Sequence, residues 1–286
     1  MNRWIETSDR RSFRPLAVYK AEVRLLTDLL TNEIVIALGF SPDGIMRHLL
    51  GPLVYLPARR FSTIAARFDT IVSDRGLGAA CRWALPYFTA GVKLEGRRNI
   101  PETGPLLVVG NHPGIVDAMA LAGFLPRNDV RVIASGIPFM RGVPNAAEYL
   151  IYSSHQSGDR VRVLRESIRH LRRGGALVVL PGGRVEPDPA RFPGAVEAVE
   201  RWSPSVALMA RSVHELQVVV AASGGMVARG SMKSPLTVLG NTQMEKQKIA
   251  EFAQVIQQML LPDTVTVSPR VYFSEVIRPL LECSGT

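Results

Sequence analysis

The chain has 286 residues, a net charge of +9, a hydrophobic fraction of 47% and a charged fraction of 21%. This composition is typical of a folded protein with one sizeable core and excludes a disordered chain. Cys81, Cys283 and the five histidines are scattered along the sequence, which excludes a disulfide framework and argues against a structural metal site. Because no run of eighteen apolar residues occurs, we expect no membrane-spanning helix.

The basic surplus indicates an anionic partner, such as a phosphorylated cofactor, an acidic lipid surface or nucleic acid, unless it only solubilises the surface. Nucleic acid is supported by charge alone, and we expect none to bind. Residues 1–15 are polar and contain several arginines, without the apolar stretch of a secretory signal. We therefore expect a cytoplasmic protein.

Residues 17–90 carry apolar side chains at helical spacing, punctuated by Pro52, Pro57 and Pro86. This predicts an N-terminal helical lobe over residues 1–90 that can associate with a membrane. The aromatic segment at residues 83–88 suits either a membrane interface or the core. From residue 91 short apolar runs alternate with helical stretches, which predicts an α/β domain over residues 91–286. We expect a central mixed, mostly parallel β-sheet flanked by helices.

Candidate strands are residues 106–109, 130–133, 149–152, 177–180, 216–221 and 265–267, and candidate helices are residues 115–125, 160–173 and 243–261. We expect Asp159 to cap the second helix at its start and Gly174 to end it. The third helix opens with a capping box from Thr242 to Glu245. It contains no arginine, and we interpret it as a plain packing element.

The most informative segment is GNHPGIVD, residues 110–117, directly behind the first candidate strand. Pro113 pushes His112 out of the helical region, and Gly114 permits an abrupt turn. Residues five apart point in different directions on a continuous helix, but a strand-turn-helix corner can fold Asp117 back onto His112. Such a pair makes a general base, because the carboxylate fixes the tautomer and stabilises the imidazolium.

A simpler interpretation competes with this one. His112 and Asp117 could form a surface turn with a carboxylate placed at a helix N-terminus. The preceding strand, the glycines and Asn111 favour a functional pair instead. A second couple, His155 and Asp159, is better explained as a polar loop that ends in a helix cap.

A further candidate segment is LPGGRVEP, residues 180–187, where an apolar strand runs into a glycine turn. Gly182 and Gly183 let the backbone approach a ligand closely, while Arg184 can hold a phosphate or carboxylate. The alternative is an ordinary strand-exit turn.

Together these segments resemble the glycerolipid acyltransferase superfamily. Residues 91–112 are similar to the family's approach to its NHxxxxD block, and His112 and Asp117 match that block at the required spacing. Residues 137–139 are similar to the segment before the second block. The family's third block, FPEGTR, is replaced by LPGG, and PGGRVE at residues 181–186 is similar to the variant in diacylglycerol and phytyl-ester acyltransferases. The resemblance covers roughly residues 91–225.

The resemblance implies transfer of a fatty acyl group from the co-substrate acyl-CoA or acyl-ACP, with no bound cofactor. His112 would be the base and Asp117 would orient it, while amides of the turn or helix start would stabilise the oxyanion. The residues implied in substrate binding are Asn111, Gly114, Gly182, Gly183, Arg184, Glu186 and Arg160. Arg160 would replace the second-block arginine, which is missing at Ser153 and Ser154.

The sequence does not decide between the classes of acyl acceptor. A lysophosphatidate-like glycerolipid and a neutral alcohol such as diacylglycerol are both compatible with the resemblance, as is a non-catalytic lipid-binding relative. The resemblance also implies a peripheral location at the inner face of the membrane.

Overall fold

In the computed structural model of the chain, residues 16–37, 39–154 and 157–279 are described. The α-helices are α1 Leu16–Ala37, α2 Ile45–Arg75, α3 Leu77–Ala84, α4 Asp117–Phe124, α5 Pro138–Arg141, α6 Pro144–Ala147, α7 Ser157–Arg172, α8 Ala195–Val199, α9 Ser205–Ser212 and α10 Gln243–Leu260. Short 3-10 helices lie at Leu85–Tyr87, Arg97–Asn99, Ser231–Lys233 and Pro235–Leu239. The strands are β1 Lys93–Glu95, β2 Leu106–Gly110, β3 Val130–Ser135, β4 Leu150–Ser153, β5 Ala176–Val179, β6 Gln217–Gly224 and β7 Arg270–Phe273.

The strands form a seven-stranded sheet in the order β1-β7-β6-β2-β5-β3-β4. The pair β6–β7 is antiparallel and the other pairs are parallel. The expected mixed, mostly parallel sheet with helices and a helical N-terminal region is therefore confirmed. Strands β2 to β6 run in one direction, so their carboxyl ends meet at one edge of the sheet, here called the carboxyl edge. In open α/β sheets ligands bind outside such an edge.

The centre of the sheet is buried on both faces. Along β2, Leu106 and Val108 belong to one apolar cluster, whereas Leu107 and Val109 belong to a second cluster on the opposite face. The first cluster packs beneath α1 to α4 and α10, and the second beneath α7 and α9. A strand covered on both faces reads as a continuous apolar run, which is why β2 and β5 were predicted correctly.

The N-terminal helices share the core of the sheet. Leu26 of α1 and Ile64 of α2 lie in the same apolar cluster as Leu106. Trp83 and Tyr87 pack against that cluster as well, so the aromatic segment at residues 83–88 contributes to the core. The division of the chain at residue 90 into a helical lobe and an α/β domain stays a prediction. None of the described helices is long and apolar enough to cross a membrane.

The sequence suggested that Pro52 and Pro57 interrupt the helical region. Both lie inside α2 instead. A proline in a helix interior costs about 3 kcal/mol, because it lacks the amide proton and crowds the preceding turn. Helix α2 continues because it packs along α1 and against α3, α6 and α10. Tertiary packing here outweighs local propensity.

Other expectations had different outcomes. Residues 265–267 form no strand, and the pairing strand is β7, after Pro269. Helix α7 already begins at Ser157, so Asp159 lies in its first turn and is not its cap. The expected end is confirmed, since Gly174 has a φ of 81°, as is the capping box of α10. His155 and residues 1–15 lie outside the described residues.

Asp69 ties α2 to α6, and its removal is expected to destabilise the fold. The carboxylate is fully buried and accepts hydrogen bonds from Asn145 Nδ2 at 2.6 Å and from the Ala146 amide at 2.8 Å. Asp69→Ala leaves both donors without an acceptor, so the free energy of unfolding should fall by about 1–3 kcal/mol in urea titrations. Asp28→Ala is the control, because Asp28 makes an exposed ion pair with Arg47 at 4.0 Å, worth at most about 1 kcal/mol. Equal losses in both variants would contradict this role of Asp69.

Candidate active site

His112 and Asp117 face each other across the turn between β2 and α4. His112 Nδ1 lies 2.8 Å from Asp117 Oδ2. The Asp117 side chain is completely buried, whereas 28% of the His112 side chain remains exposed. A buried carboxylate behind a partly exposed imidazole is the geometry expected of a general base and its orienting partner. It differs from a surface turn, in which the carboxylate would be solvated.

The turn itself is built around the Asp117 carboxylate. Asp117 Oδ2 also accepts from the Gly114 amide at 3.1 Å, and Oδ1 accepts from the Ala118 amide at 2.5 Å. An ionised carboxylate can only accept, so His112 Nδ1 must carry the proton between them. This assignment leaves the lone pair of Nε2 available to take a proton.

Asn111 joins the carboxyl ends of two neighbouring strands. Its Nδ2 donates to the carbonyl of Ser223 at 2.8 Å, and its Oδ1 accepts from the Ser223 amide at 2.7 Å and hydroxyl at 3.1 Å. Both ends of the Asn111 amide are therefore engaged with β6. The contact of Asn111 with substrate stays a prediction.

Glu186 holds the backbone of His112 from the loop after β5. Its Oε2 accepts from the His112 amide at 2.9 Å, and its own amide donates to the His112 carbonyl at 2.7 Å. Its Oε1 accepts from Trp202 Nε1 at 2.7 Å. A Cβ on Gly182 would collide with the Glu186 carboxylate, so this close approach requires a glycine. Both Glu186 oxygens have protein partners, and a direct contact with substrate stays a prediction.

Helix α10 reaches the same turn from the other side, and sequence reasoning missed this. Gln247 Nε2 donates to the carbonyls of Pro113 and Glu186, both at 2.9 Å. Glu251 Oε1 accepts from the Ile115 amide. The interpretation of α10 as a plain packing element is therefore wrong. The available signal was the spacing of Gln247, Glu251, Gln254 and Gln258, which places four polar residues on one helix face.

Arg184 and Arg160, the two arginines expected to bind substrate, occupy different places. Arg184 is exposed in the turn after β5, the strand beside β2, and follows Gly183, whose φ of 65° favours glycine. Arg160 is exposed in the first turn of α7, which follows β4. Strand β4 lies three positions from β2 in the sheet, a separation of about 14 Å at ordinary strand spacing. The structure brings the Arg184 segment to His112 but not Arg160.

Carboxylates set the electrostatics of the site. Burial disfavours the charged imidazole of His112, but its hydrogen bond to Asp117 and the charges of Asp117, Glu251 and Glu186 outweigh that effect and raise its pKa above 6.5. Burial also raises the pKa of Glu251, to about 7, despite the hydrogen bond from the Ile115 amide. Among the described residues, no three His, Cys, Asp or Glu side chains are grouped so that they could hold a metal ion.

Three backbone amides of the turn already have acceptors. Gly114 and Ala118 donate to Asp117, and Ile115 donates to Glu251. These three amides are therefore not free to stabilise an oxyanion, and the expectation that other amides of the turn or helix start supply the donors stays a prediction. The facing glycine turn at residues 181–184 is the other nearby source of backbone amides.

The raised pKa of His112 is expected to depend on the charge of Asp117. Asp117→Asn removes that charge, so the imidazole of His112 should titrate at a lower pH than in the wild-type protein, as measured by NMR. His170 serves as an internal control, because burial lowers its pKa and its ring bonds to the Ala176 carbonyl. An unchanged His112 titration in the variant would show that the Asp117 carboxylate does not raise the pKa of His112.

Comparison with known proteins agrees with this site. Residues 91–231 match the family model described as Acyltransferase, and no curated protein matches the sequence significantly. The crystal structure of the 1-acyl-sn-glycerophosphate (LPA) acyltransferase PlsC from Thermotoga maritima is 17% identical at a TM-score of 0.38, with 91% of this chain and 88% of that chain covered. The matched residues include His112, Asp117 and Glu186. The match of residues 91–231 to the Acyltransferase family model confirms the resemblance carried by the NHxxxxD block.

Proposed function

We propose that this protein transfers a fatty acyl group from acyl-CoA or acyl-ACP to the hydroxyl of a glycerolipid acceptor at a membrane surface. The observation that carries the proposal is the 2.8 Å contact between a buried Asp117 and a partly exposed His112 at the carboxyl edge. A base in this position can contact a substrate hydroxyl that approaches from solvent, while the Asp117 carboxylate stays shielded from water.

The proposed reaction is a direct transfer. The acceptor hydroxyl oxygen attacks the thioester carbonyl carbon as His112 Nε2 takes the hydroxyl proton. The carbon–sulfur bond then breaks, and the leaving thiolate receives the proton from the imidazolium. The products are an ester and a free thiol, and Asp117 stabilises the transient imidazolium.

The glycine turn after β5 is the proposed source of oxyanion stabilisation. Gly182 and Gly183 precede Arg184 there, and Glu186 fastens this loop to the His112 backbone. Within the described residues, the amides of Gly182 and Arg184 donate to no protein acceptor. Amides aimed at the developing negative charge contribute more in the transition state than in the ground state.

Two acceptor classes are supported by different observations. The exposed guanidinium of Arg184, one strand from His112, suits the phosphate of a lysophosphatidate-like lipid, and we propose that class first, with Arg160 as a more distant contact. The run PGGRVE at residues 181–186 is similar to the neutral-lipid variant, which favours an alcohol such as diacylglycerol as the second candidate. The contacts of Asn111 and Gly114 with substrate that the resemblance implies are part of this proposal.

The catalytic proposal is tested by transfer assays with radiolabelled acyl-CoA and acyl-ACP, each offered lysophosphatidate or diacylglycerol. We expect labelled ester with lysophosphatidate, and a loss of kcat of about 10²–10⁴-fold in His112→Ala, because the general base is removed. His214→Ala is the matched control, since His214 is an exposed histidine outside the site, and it should retain wild-type activity.

Three outcomes distinguish the alternatives. Ester formed from diacylglycerol alone would assign the neutral acceptor. Full activity in His112→Ala would refute the base, and binding of lipid without ester formation under every donor would indicate a non-catalytic relative.

The membrane surface is proposed to meet the hairpin of α1 and α2. Ile45, Leu49, Leu53 and Leu56, here called the hairpin stripe, recur at helical spacing and are 46–75% exposed. Helix α2 contacts Phe139, just after β3, through Phe61 and contacts Ala146, just before β4, through Asp69. It therefore runs away from the carboxyl edge, and its first half projects beyond that edge, on the side of His112. The net charge of +9 suits the anionic inner face of a membrane.

The hairpin stripe is expected to control vesicle binding. Burying one leucine contributes about 1.5–3 kcal/mol, so the double variant Leu49→Gln, Leu53→Gln should bind vesicles of phosphatidylglycerol and phosphatidylethanolamine at least about tenfold more weakly. Ile277→Gln is the control, because Ile277 is 51% exposed and pairs with Val218 at the opposite edge of the sheet. Sedimentation with vesicles measures both variants, and equal binding by the double variant and wild type would refute the proposed surface.

A further inference from the structure

One face of α10 is polar although it is buried. Gln247, Glu251, Gln254 and Gln258 are each at most 7% exposed. A helix face directed at the core is normally apolar, and most buried polar groups are hydrogen-bonded. Each of these four side chains bonds to a loop: Gln254 to residues 226 and 228, and Gln258 to residues 88 and 265. This face of α10 therefore connects loops, and two of its side chains reach the catalytic turn.

Glu251 is the ionisable member of that face and bonds to the centre of the turn. Its carboxylate accepts from the amide of Ile115, which lies between His112 and Asp117 in the chain. The fit is close, because a Cβ on Gly114 would collide with Glu251 and would lie 2.8 Å from Met226 Cβ. The path of the chain from His112 to Asp117 is thus in contact with the Glu251 carboxylate on one side.

We propose that Glu251 is a positioning residue for His112: its carboxylate holds the Ile115 amide and so sets the turn that brings the imidazole onto Asp117. This inference rests on the proposed role of His112 as the base. Glu251 lies outside the matched residues 91–231, on a helix that the family match does not include. It acts through the backbone of the turn and through its charge.

The charge of Glu251 adds a dependence on pH. The titratable groups that face it are Asp117 and His112 from the turn and Asp188 from the loop after β5. Burial, together with the charges of Asp117 and Asp188, raises its pKa to about 7, against the Ile115 hydrogen bond and His112. Glu251 therefore gains its charge near neutral pH, and that charge raises the pKa of His112.

Two substitutions separate the hydrogen bond from the charge. Glu251→Gln keeps an acceptor for the Ile115 amide but removes the charge, so kcat should stay close to wild type while the pKa of His112 falls. Since His112 acts in its neutral form, the acid limb of the kcat profile should move to lower pH. Glu251→Leu removes the acceptor as well, and kcat should fall about 10²-fold, the scale expected for misplacement of a catalytic group, with KM little changed.

The control is Gln258→Leu, about two turns further along the same buried face. It should lower the unfolding temperature without moving the acid limb or the His112 titration. The pKa of His112 is also read directly by NMR in each variant, which requires no substrate. The Glu251→Gln variant preserves size and hydrogen bonding. It therefore decides whether the charge of Glu251 acts on His112 even where Glu251→Leu does not fold.

The outcomes separate this inference from the proposed function. Wild-type kcat in folded Glu251→Leu, or an identical His112 titration and acid limb in Glu251→Gln, would overturn the role of Glu251. Full activity in His112→Ala would instead refute the base itself, while the NMR titrations would still report whether Glu251 acts on His112.

Discussion

The site depends on one contact, the hydrogen bond between His112 Nδ1 and the buried Asp117 carboxylate at 2.8 Å. An isolated carboxylate with no exposure to water would be strongly unfavourable. Asp117 is stable there because the Gly114 and Ala118 amides donate to it as well. The same carboxylate therefore closes the turn and orients the imidazole, so the local fold and the proposed chemistry share one set of bonds.

The turn is held by polar contacts from three directions. Asn111 fastens it to β6, Glu186 fastens it to the loop after β5, and Gln247 and Glu251 fasten it to α10. Directional bonds of this kind limit how far His112 can move, whereas apolar packing alone tolerates small shifts. A base is effective only within a narrow range of positions. The number of buried carboxylates around one imidazole also explains why its pKa is raised despite burial.

The central strands were predictable from the chain, and the edge strands were not. Strands β2 and β5 are apolar runs because both faces are covered. Strand β1 has three residues with no buried member, and β7 buries only alternate residues. The pairing of β1 and β7 is decided by neighbours far away in sequence. From the sequence, the short alternating run at residues 265–267 is an equally suitable strand. Likewise, α2 passes through two prolines because its packing surfaces lie on other elements.

The sequence alone determined the α/β sheet, the NHxxxxD spacing and the pairing of His112 with Asp117, because these follow from local periodicity and a five-residue separation. Only the tertiary structure decided that Asn111 and Glu186 hold the turn, that Arg160 lies three strands away, and that Glu251 reaches Ile115. The physical reason is separation along the chain. Contacts between residues 74 to 136 positions apart depend on strand order, which no local pattern specifies.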